Sequence, residues 1–392
     1  MRDTIVVLGA GPAGLACAHK ILKESDYKVV VLDKAPFVGG AGASFQWKGH
    51  TLDFGPHAFH ARGDEAEDLI RTLFQYDSSA LIEGQKSVRV FLKGRRFRYP
   101  LQVGEALLKF NPLLSIRIIV EFALTSIFHA IVSIPIDNFE NWGRKRFGST
   151  LYRLSFGDYT EKVWKTAPDR ISERFASEKI QGFSFVNLVK RLLRIGGQVT
   201  EPYYQKWIYH KKGSGQLYST MADAIREMGG EILLGCQIRE IETSGSDATG
   251  VRVVVDDGER VIACHRVVST IGLAQLVSLL APPVPFSVRH SASKLSYTSL
   301  VLVYVEFAQE RIGSDHWFYL LEPKYRFNRV TEQKNLSAET MEPGKTVLVF
   351  ELTCRLGDSL WRASDEEVYQ MVVDDCSSID FLPFDNASDY MV

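Results

Sequence analysis

The spacing of three glycines near the N-terminus limits most strongly what this chain can fold into. The apolar, β-branched run TIVVL is followed by Gly9, Gly11 and Gly14 in G-x-G-x-x-G spacing, and then by an apolar stripe with helical period. This order predicts a strand, a tight turn and a helix. Gly9 permits the turn, Gly11 lets the backbone approach a pyrophosphate, and Gly14 lets the helix pack closely on the strand. Pro12 and Ala13 open the helix, where free N–H groups attract an anion.

An acidic residue follows at the distance that such a loop requires. The second predicted strand, YKVVVLD, ends in Asp33, nineteen residues after Gly14. A carboxylate there can accept hydrogen bonds from ribose hydroxyls. Strand, glycine loop, helix, strand and acid in this order predict a dinucleotide site, in which we include Asp33 and its neighbour Lys34.

The continuation of the chain indicates which dinucleotide is bound. Gly39-Gly40 comes just after the acid and is followed by a hairpin pattern that turns at Lys48-Gly49, whereas nicotinamide domains usually continue into another βα unit. This continuation resembles the extended flavin fingerprint of the large FAD family that contains amine oxidases, protoporphyrinogen oxidases, phytoene desaturases and UDP-galactopyranose mutases. The resemblance implies that FAD is the cofactor and that Gly39, Gly40 and Ala41 lie alongside its phosphates and ribityl chain.

Two later stretches are similar to landmarks of the same family. A glycine-rich loop at 213–215 precedes an amphipathic helix and a strand, and the resemblance implies that the backbone at Ile238 in this strand lies against the adenine. The stretch HRVVSTIG looks like the family's next landmark, a strand that returns the chain beneath the FAD, and it places Thr270 in the predicted site.

The stretch DFGPHAFH narrows the resemblance to one part of the family. It is similar to the G-P-H-x-F-H element of UDP-galactopyranose mutases, which passes near the reactive face of the flavin. The resemblance places Gly55, Pro56 and His57 at the cofactor, and it makes His57 and His60 the candidate catalytic residues. A pair of histidines without a third ligand does not indicate a metal site, so we predict none.

A substrate-domain element is similar to the same group but departs from it at one position. YTEKVWKTAPDRIS, residues 159–172, resembles the Y-T-x-K-x-W-G element, with Lys165 at the glycine position. This departure counts against a UDP-galactopyranose mutase-like function, whereas the G-P-H-x-F-H element favours it, so two functions stay open. One is a FAD-dependent oxidoreductase that transfers a hydride from a small-molecule substrate to the flavin. The other is a UDP-galactopyranose mutase-like, non-redox isomerase of a nucleotide sugar.

The C-terminal part of the chain gives a third alternative. Family members return to the FAD domain through a second glycine-containing stretch, but no glycine follows Gly357 here. We therefore expect a truncated, weakly active family member that retains FAD poorly.

Length and composition set the architecture. The 392 residues, 45% hydrophobic and 24% charged, suit about two domains. We predict an α/β fold with a discontinuous Rossmann-like FAD-binding domain, residues 1–60 and 213–285, and an α+β substrate domain, residues 61–212 and 286–392. In the latter, aromatic residues between Phe139 and Phe156 are expected in the core, and a hairpin is expected to turn at Lys93-Gly94.

Charge and cysteine content bear on partners and compartment. The formal net charge of −1 gives no reason to expect a nucleic-acid partner, and the sequence does not indicate an oligomeric state. The five cysteines are odd in number and include no C-x-x-C pair, so neither a disulfide framework nor a zinc site is indicated. Because the chain runs from Met1 directly into its first strand, we expect no export signal and a cytoplasmic protein.

One apolar segment, EFALTSIFHAIVSIPID, raises the question of membrane contact. Its uncharged run between Glu121 and Asp137 has fifteen residues. A helix needs about 20 apolar residues to span a bilayer. We favour a buried helix, and the alternatives are a helix that lies against a membrane or a greasy substrate entrance, and a spanning helix.

Overall fold

The computed structural model describes residues 3–60, 63–132, 136–175, 206–255 and 258–392. The chain divides into two compact units, each assembled from three chain segments. Unit 1 comprises Met1–Gly84, Trp207–Ser296 and Ser337–Thr340, and unit 2 comprises Gln85–Lys206, Tyr297–Leu336 and Met341–Val392, as far as their residues are described.

Both units contain strands and helices. The strands in the described residues are β1 (Thr4–Leu8), β2 (Lys28–Leu32), β3 (Ser44–Trp47), β4 (His50–Asp53), β5 (Phe59–His60), β6 (Leu81–Gln85), β7 (Val88–Leu92), β8 (Arg95–Arg98), β9 (Lys206–His210), β10 (Glu231–Leu233), β11 (Gln237–Ser244), β12 (Asp247–Val255), β13 (Gly258–Ala263), β14 (Arg266–Ser269), β15 (Leu280–Ala281), β16 (Thr298–Phe307), β17 (Trp317–Leu320), β18 (Arg329–Glu332), β19 (Thr346–Arg355) and β20 (Ala387–Met391). The α-helices there are α1 (Pro12–Glu24), α2 (Glu65–Leu73), α3 (Val103–Lys109), α4 (Pro112–Ile131), α5 (Phe139–Tyr152), α6 (Asp158–Trp164), α7 (Gly215–Glu227), α8 (Leu273–Leu279), α9 (Phe286–Ser293), α10 (Ser359–Arg362) and α11 (Asp365–Cys376). Short 3-10 turns cover Gly40–Gly42, Ser78–Ala80, Pro168–Arg170, Gln333–Asn335, Ala338–Thr340 and Phe384–Asn386, and a π-helical turn covers Arg153–Gly157.

A parallel sheet with the strand order β10-β2-β1-β14 is the centre of unit 1. Leu8 of β1 pairs with Leu32 on one side and with Ser269 on the other, so the ends of three strands meet at one edge. The β-branched runs are buried, as is usual for a parallel sheet covered on both faces. α1 packs on the sheet through Gly14, Leu15 and Ala18. The predicted Rossmann-like architecture is confirmed.

Both predicted hairpins are present, and their turns share one backbone conformation. Lys48 and Gly49 join β3 to β4 with φ angles of +48° and +84°, and Lys93 and Gly94 join β7 to β8 with φ angles of +52° and +72°. Two successive positive φ values match the twist of the flanking strands in a two-residue hairpin turn.

A seven-stranded sheet, β20-β16-β19-β18-β17-β7-β8, is the frame of unit 2. Its central strand β19 is buried at every residue except Arg355, and α11 packs on the sheet through Val368, Val372 and Cys376. A second core surrounds α3, α4 and α5. The predicted core aromatics of this region are buried there, namely Phe139, Trp142, Phe147 and Tyr152, with Phe156 half-buried.

Unit 1 is larger than the predicted FAD-binding domain. It also includes residues 61–84, 207–212, 286–296 and 337–340. The physical reason is shared burial, because Ile70 and Phe74 after the predicted boundary lie in the same hydrophobic cluster as Leu15 and Val31. A boundary placed by motif spacing does not detect such packing.

The expectation that the apolar segment forms a buried helix is wrong. The segment lies in α4, which begins earlier than predicted, at Pro112, and among its described side chains Ser115 and Ile118 are buried. The window Pro112–His129 has a mean hydropathy of 1.4 with 11% of its residues buried. By length and composition alone, α4 could cross a membrane.

Candidate cofactor-binding site

The glycine fingerprint forms a tight loop between β1 and α1. Gly9 has a φ of +102°, and its N–H donates to the Leu32 carbonyl over 2.8 Å. A Cβ at Gly14 would lie 1.9 Å from the Gly9 oxygen. Glycine at these two positions is therefore required by the fold itself.

Gly11 differs from the other two glycines because the space at its Cβ position is open, and we call this space the open side of Gly11. A Cβ at Gly11 would meet no atom within 4 Å. Gly11 is also the N-cap residue of α1, in extended conformation, and no side chain caps the helix. Pro12 and Ala13 in the first turn are exposed. The helix N-terminus thus presents its free N–H groups to open space, as an anion-binding terminus does.

The paired glycines fold back onto the fingerprint loop. The Gly39 N–H donates to the Ala10 carbonyl over 2.8 Å, and a Cβ at Gly40 would lie 3.3 Å from the Gly11 Cα. Both glycines have positive φ, +98° and +52°, and Ala41 is exposed. The second loop therefore borders the open side of Gly11, in agreement with its predicted place beside the phosphates.

Asp33 holds the loops at the edge of the sheet. Its Oδ2 accepts from the Ala10 N–H at 2.6 Å and its Oδ1 accepts from the Ala35 N–H at 2.8 Å. Each carboxylate oxygen has a second lone pair, so Asp33 can still accept from a ribose hydroxyl. Lys34 beside it is exposed.

A third loop, residues 213–215, closes on the second. The Ser214 hydroxyl donates to the Gly42 carbonyl over 2.8 Å, and the Gly215 N–H donates to Ser44 Oγ over 2.8 Å. A Cβ at Gly42 would lie 2.4 Å from the Tyr218 ring of α7, so helix and loop are in close contact.

Asp53 is the buried hub of these contacts, and sequence reasoning missed it. Its Oδ1 accepts from Ser44 Oγ at 2.6 Å and from the Ser214 N–H at 3.1 Å, and its Oδ2 accepts from the Tyr209 hydroxyl at 2.6 Å. Burial raises the pKa of Asp53, and these donors oppose the rise. The one sequence signal that could have indicated Asp53 was a carboxylate at the end of a strand. Its partners could not be found because Tyr209 lies 156 residues away.

Ile238 and Thr270 lie near the same loops, Ile238 on a strand and Thr270 directly after β14. Thr270 donates through its N–H and its hydroxyl to the Leu8 carbonyl, at 2.9 and 2.8 Å, directly beside Gly9. Ile238 is in β11, two residues after Cys236, whose N–H donates to the Asp33 carbonyl over 3.0 Å. Both predicted positions therefore belong to the surroundings of β1 and β2.

The histidine element follows Asp53 in the chain. Gly55 has a φ of +85°, Pro56 is half-buried, and His57 Nε2 lies 3.0 Å from the Phe54 carbonyl oxygen. His60 is in β5, opposite Trp207 of β9. In the part of the chain that the structure describes, no group of three or more His, Cys, Asp or Glu side chains could hold a metal ion. The catalytic roles of His57 and His60 remain predictions.

The residues of unit 1 fit a dinucleotide with a pyrophosphate. The fingerprint loop, the paired-glycine loop and the 213–215 loop are joined in series by hydrogen bonds, and Gly11 of the first loop has an open side at an uncapped helix N-terminus. A side chain at Gly11 would enter this space. Backbone N–H groups and glycines at such a site suit the close approach of a diphosphate.

In unit 2, Lys165 occupies the position where the resembled element has glycine. Lys165 ends α6 with a φ of +50°, the left-handed conformation that favours glycine, and its N–H donates to the Glu161 carbonyl over 2.9 Å.

Comparisons with known proteins agree with this geometry. The chain is similar to a 4,4'-diapophytoene desaturase (4,4'-diapolycopene-forming) of Methylomonas sp, with 24% identity over 64% of this chain and 50% of the relative, so it spans about half the length of that enzyme. It is also similar to a phytoene desaturase (lycopene-forming) of Pantoea ananas, with 22% identity over 83% of this chain and 68% of the relative. Among solved structures, reduced UDP-galactopyranose mutase has the same fold, with a TM-score of 0.82 and 18% identity over 100% of this chain and 81% of the mutase.

The family itself is established by a match along almost the entire chain. The sequence profile described as flavin containing amine oxidoreductase covers residues 12–390. The predicted cofactor, FAD, is confirmed by this match, and the loops of unit 1 are the elements that suit it. The chain belongs to the family of flavin-containing amine oxidoreductases.

Proposed function

We propose that the protein is a FAD-dependent oxidoreductase that removes a hydride from a small-molecule substrate. The observation that carries the proposal is the open side of Gly11 at an uncapped helix N-terminus, in a loop that is hydrogen-bonded to the paired-glycine loop. FAD supplies a two-electron acceptor at such a site, and the protein supplies binding and orientation.

The chain's own residues divide this work. The fingerprint loop and the N-terminus of α1 bind the diphosphate, and Asp33 accepts from the ribose. On the proposed function, His57, which follows these loops in the chain, would lie near the reacting part of the cofactor. A hydride would pass from the substrate to the flavin and a proton to solvent, so that the substrate is oxidised by two electrons.

A carbon–carbon bond is the first candidate for oxidation. Both curated relatives reported above are desaturases, which convert a saturated carbon pair to an alkene, and the chain spans 50% and 68% of their lengths. Amines and alcohols, whose adjacent C–H bonds can also donate a hydride, are the other donor classes to test.

The test is reduction of the bound flavin under anaerobic conditions. We expect a polyene precursor with saturated carbon pairs to bleach the visible absorbance of the FAD-loaded protein, and we expect Gly11→Asp to show no flavin signal. Bleaching by an amine or an alcohol instead would keep the oxidoreductase and change its substrate class. If no donor of the three classes bleaches the flavin, the oxidoreductase proposal fails.

A mutase that isomerises a nucleotide sugar is the second candidate function. It is favoured by the GPHAFH element, whereas Lys165 departs from the mutase-like motif and counts against it. Turnover of a UDP-sugar only after dithionite reduction, without net oxidation of the sugar, would support the mutase over the oxidoreductase.

A further inference from the structure

Helix α4 presents a continuous apolar face to solvent. The exposed side chains recur every three or four residues, so they share one side of the helix. Leu113 near its start is 77% exposed and Ile131 at its end is 80% exposed. Large exposed apolar patches mark interaction sites. We call these residues the α4 face; they are Leu113, Ile116, Ile119, Val120, Leu124, Ile127, Phe128 and Ile131.

The other side of α4 is fixed to unit 2. Ile118 is buried in the core that contains Phe139 and Trp142. Glu121 accepts from the N–H and the hydroxyl of Thr150 in α5, each at 2.8 Å, and from Arg117 at 2.8 Å. A helix held along one side and apolar along the other is suited to lie in a membrane surface rather than to cross it.

The residues around α4 carry a net positive charge, which favours an anionic partner. Residues 93–153 contain ten Lys and Arg against four Asp and Glu, a net charge of +6, whereas the whole chain carries −1. Lys/Arg residues near an apolar surface are attracted to anionic lipid headgroups.

These basic residues lie at both ends of the α4 face. At the start, the Lys109 ammonium donates to the Arg96 carbonyl over 2.9 Å, and the Arg95 guanidinium donates to the Lys109 carbonyl, which joins the basic hairpin tip to the residues before α4. At the other end, Arg144 and Lys145 of α5 line a groove of about 420 Å³ together with apolar side chains of α4.

The acidic groups nearby are already paired or bonded. Glu105 binds Lys109 at 2.7 Å, Glu140 binds Arg144 at 2.5 Å, and Asp137 accepts from the Asn141 amide at 2.9 Å. Their charges therefore offset some of the cations, and the surplus positive charge remains on this surface.

We propose that the α4 face docks onto an anionic phospholipid bilayer. The apolar side chains enter the boundary between headgroups and acyl chains, and the basic residues at the two ends of α4 contact lipid phosphates. A second copy of this chain is a poorer occupant, because a face-to-face dimer would bring two surfaces of the same positive sign together.

The test is co-sedimentation of the 392-residue, FAD-loaded chain with vesicles. We compare phosphatidylcholine vesicles with vesicles that contain about 30 mol% phosphatidylglycerol, an anionic lipid. We expect binding to the anionic vesicles, weakened by high salt. Lys145→Gln should weaken binding about fivefold, the effect of one basic residue near the surface. The double variant with Ile116→Asp and Ile127→Asp should weaken binding at least about tenfold, because two apolar side chains that enter the bilayer are lost.

Two control variants change exposed residues outside the α4 face. Leu356→Asp changes a 73% exposed leucine elsewhere in unit 2 and should leave vesicle binding unchanged. Arg311→Glu, at an exposed arginine away from residues 93–153, should have less effect than Lys145→Gln.

The proposal is overturned if the wild type does not bind anionic vesicles, if the α4 variants bind as well as Leu356→Asp, or if sedimentation velocity shows a dimer that Ile127→Asp dissociates. If the double aspartate variant does not fold, the Lys145→Gln comparison and the salt dependence decide.

Discussion

Three glycines of one motif have different physical roles, although the sequence gives them the same appearance. Gly9 and Gly14 are needed by the fold, because one has a positive φ and the other touches a neighbouring carbonyl. Gly11 has open space at its Cβ position and is therefore needed only by what binds there. This contrast separates loss of binding from loss of folding.

Gly11→Asp should abolish flavin binding while the thermal unfolding of the cofactor-free protein stays near that of the wild type. The added Cβ would meet no protein atom within 4 Å, and the carboxylate would face the bound pyrophosphate. Two like charges near 4 Å repel by up to about 4 kcal/mol at the protein surface. We expect FAD affinity to fall at least about 100-fold, measured by flavin fluorescence titration.

Gly14→Ala is the matched comparison. Its Cβ would lie 1.9 Å from a backbone oxygen, so this smaller substitution should lower soluble yield and melting temperature. Normal FAD content in Gly11→Asp would refute the assignment of the loop.

His57→Ala should change the reactivity of the flavin more than its affinity. His57 follows the turn at Gly55 in the chain. If it lies at the reacting part of the cofactor, as the resemblance predicts, its loss removes a group there and leaves the loops that suit the phosphates intact. We expect the dissociation constant of FAD to change little and the rate of flavin reduction to fall at least about tenfold in anaerobic stopped-flow measurements. His60→Ala, in β5, serves as the comparison. A variant that shows only a lower soluble yield would make His57 structural.

Asp53→Asn should destabilise unit 1. The amide keeps one oxygen acceptor and replaces the other with an NH2 group, which would face either the Tyr209 hydroxyl or the Ser44 hydroxyl and the Ser214 N–H, all of which now donate to an oxygen. Leaving buried donors unpaired costs about 1–3 kcal/mol each. We expect a lower melting temperature by calorimetry, with a smaller decrease in Tyr209→Phe, which removes one donor and leaves the carboxylate with the others. Equal stability of Asp53→Asn and wild type would show that the network contributes little.

At the scale of elements, unit 2 contains a buried lysine whose charge the fold disfavours. Lys162 of α6 donates to the carbonyl oxygens of Leu320, Glu322 and Phe327, at 3.0, 3.3 and 2.7 Å. Burial lowers the pKa of Lys162 to about 7 from its ordinary value of 10.5. The contacts join α6 to the loop between β17 and β18, so the protonation of one side chain affects the packing of a helix on a sheet.

This lysine predicts a rise in stability with pH. Between about pH 7 and 10.5 the unfolded chain holds the proton on Lys162 and the folded chain does not, so the free energy of unfolding rises with pH, by at most about 1.4 kcal/mol per pH unit. Melting temperatures from pH 7 to 10 should rise more steeply in the wild type than in Lys162→Met. Lys324→Met, at an exposed lysine, is the control and should keep the wild-type slope. Parallel curves for wild type and Lys162→Met would contradict the lowered pKa.

Residue patterns over a few positions were sufficient to predict the loops and turns. Packing between residues distant in sequence could not be predicted from such patterns. The fingerprint loop and the hairpin turns at Lys48-Gly49 and Lys93-Gly94 follow from residues a few positions apart, and the structure has them where they are predicted. The partners of Asp53 and the exposure of α4 depend on residues distant in sequence, and no periodicity of a single segment reports them. The loops of the candidate site were therefore predictable, and the hub that joins them was not.

At the scale of the whole molecule, both units are discontinuous. The predicted discontinuity of the first unit is present, but its extent is set by which side chains share a core, as Ile70 and Phe74 do with Leu15. Even four residues inside the later part of the chain, Ser337–Thr340, belong to unit 1, where Ser337 Oγ donates to the Lys211 carbonyl over 2.6 Å.

The three-segment construction of each unit limits how this gene can be recombined with its relatives. A chimera with a single crossover anywhere before Ser337 mixes two parents within at least one hydrophobic core, because segments of the same unit recur further along the chain. Intact parental cores require exchange of all three blocks of a unit together, with junctions after Gly84, Lys206, Ser296, Leu336 and Thr340. A shuffled library built on these junctions should therefore retain far more folded members than one with randomly placed crossovers. The short block Ser337–Thr340 has to come from the same parent as the N-terminal segment.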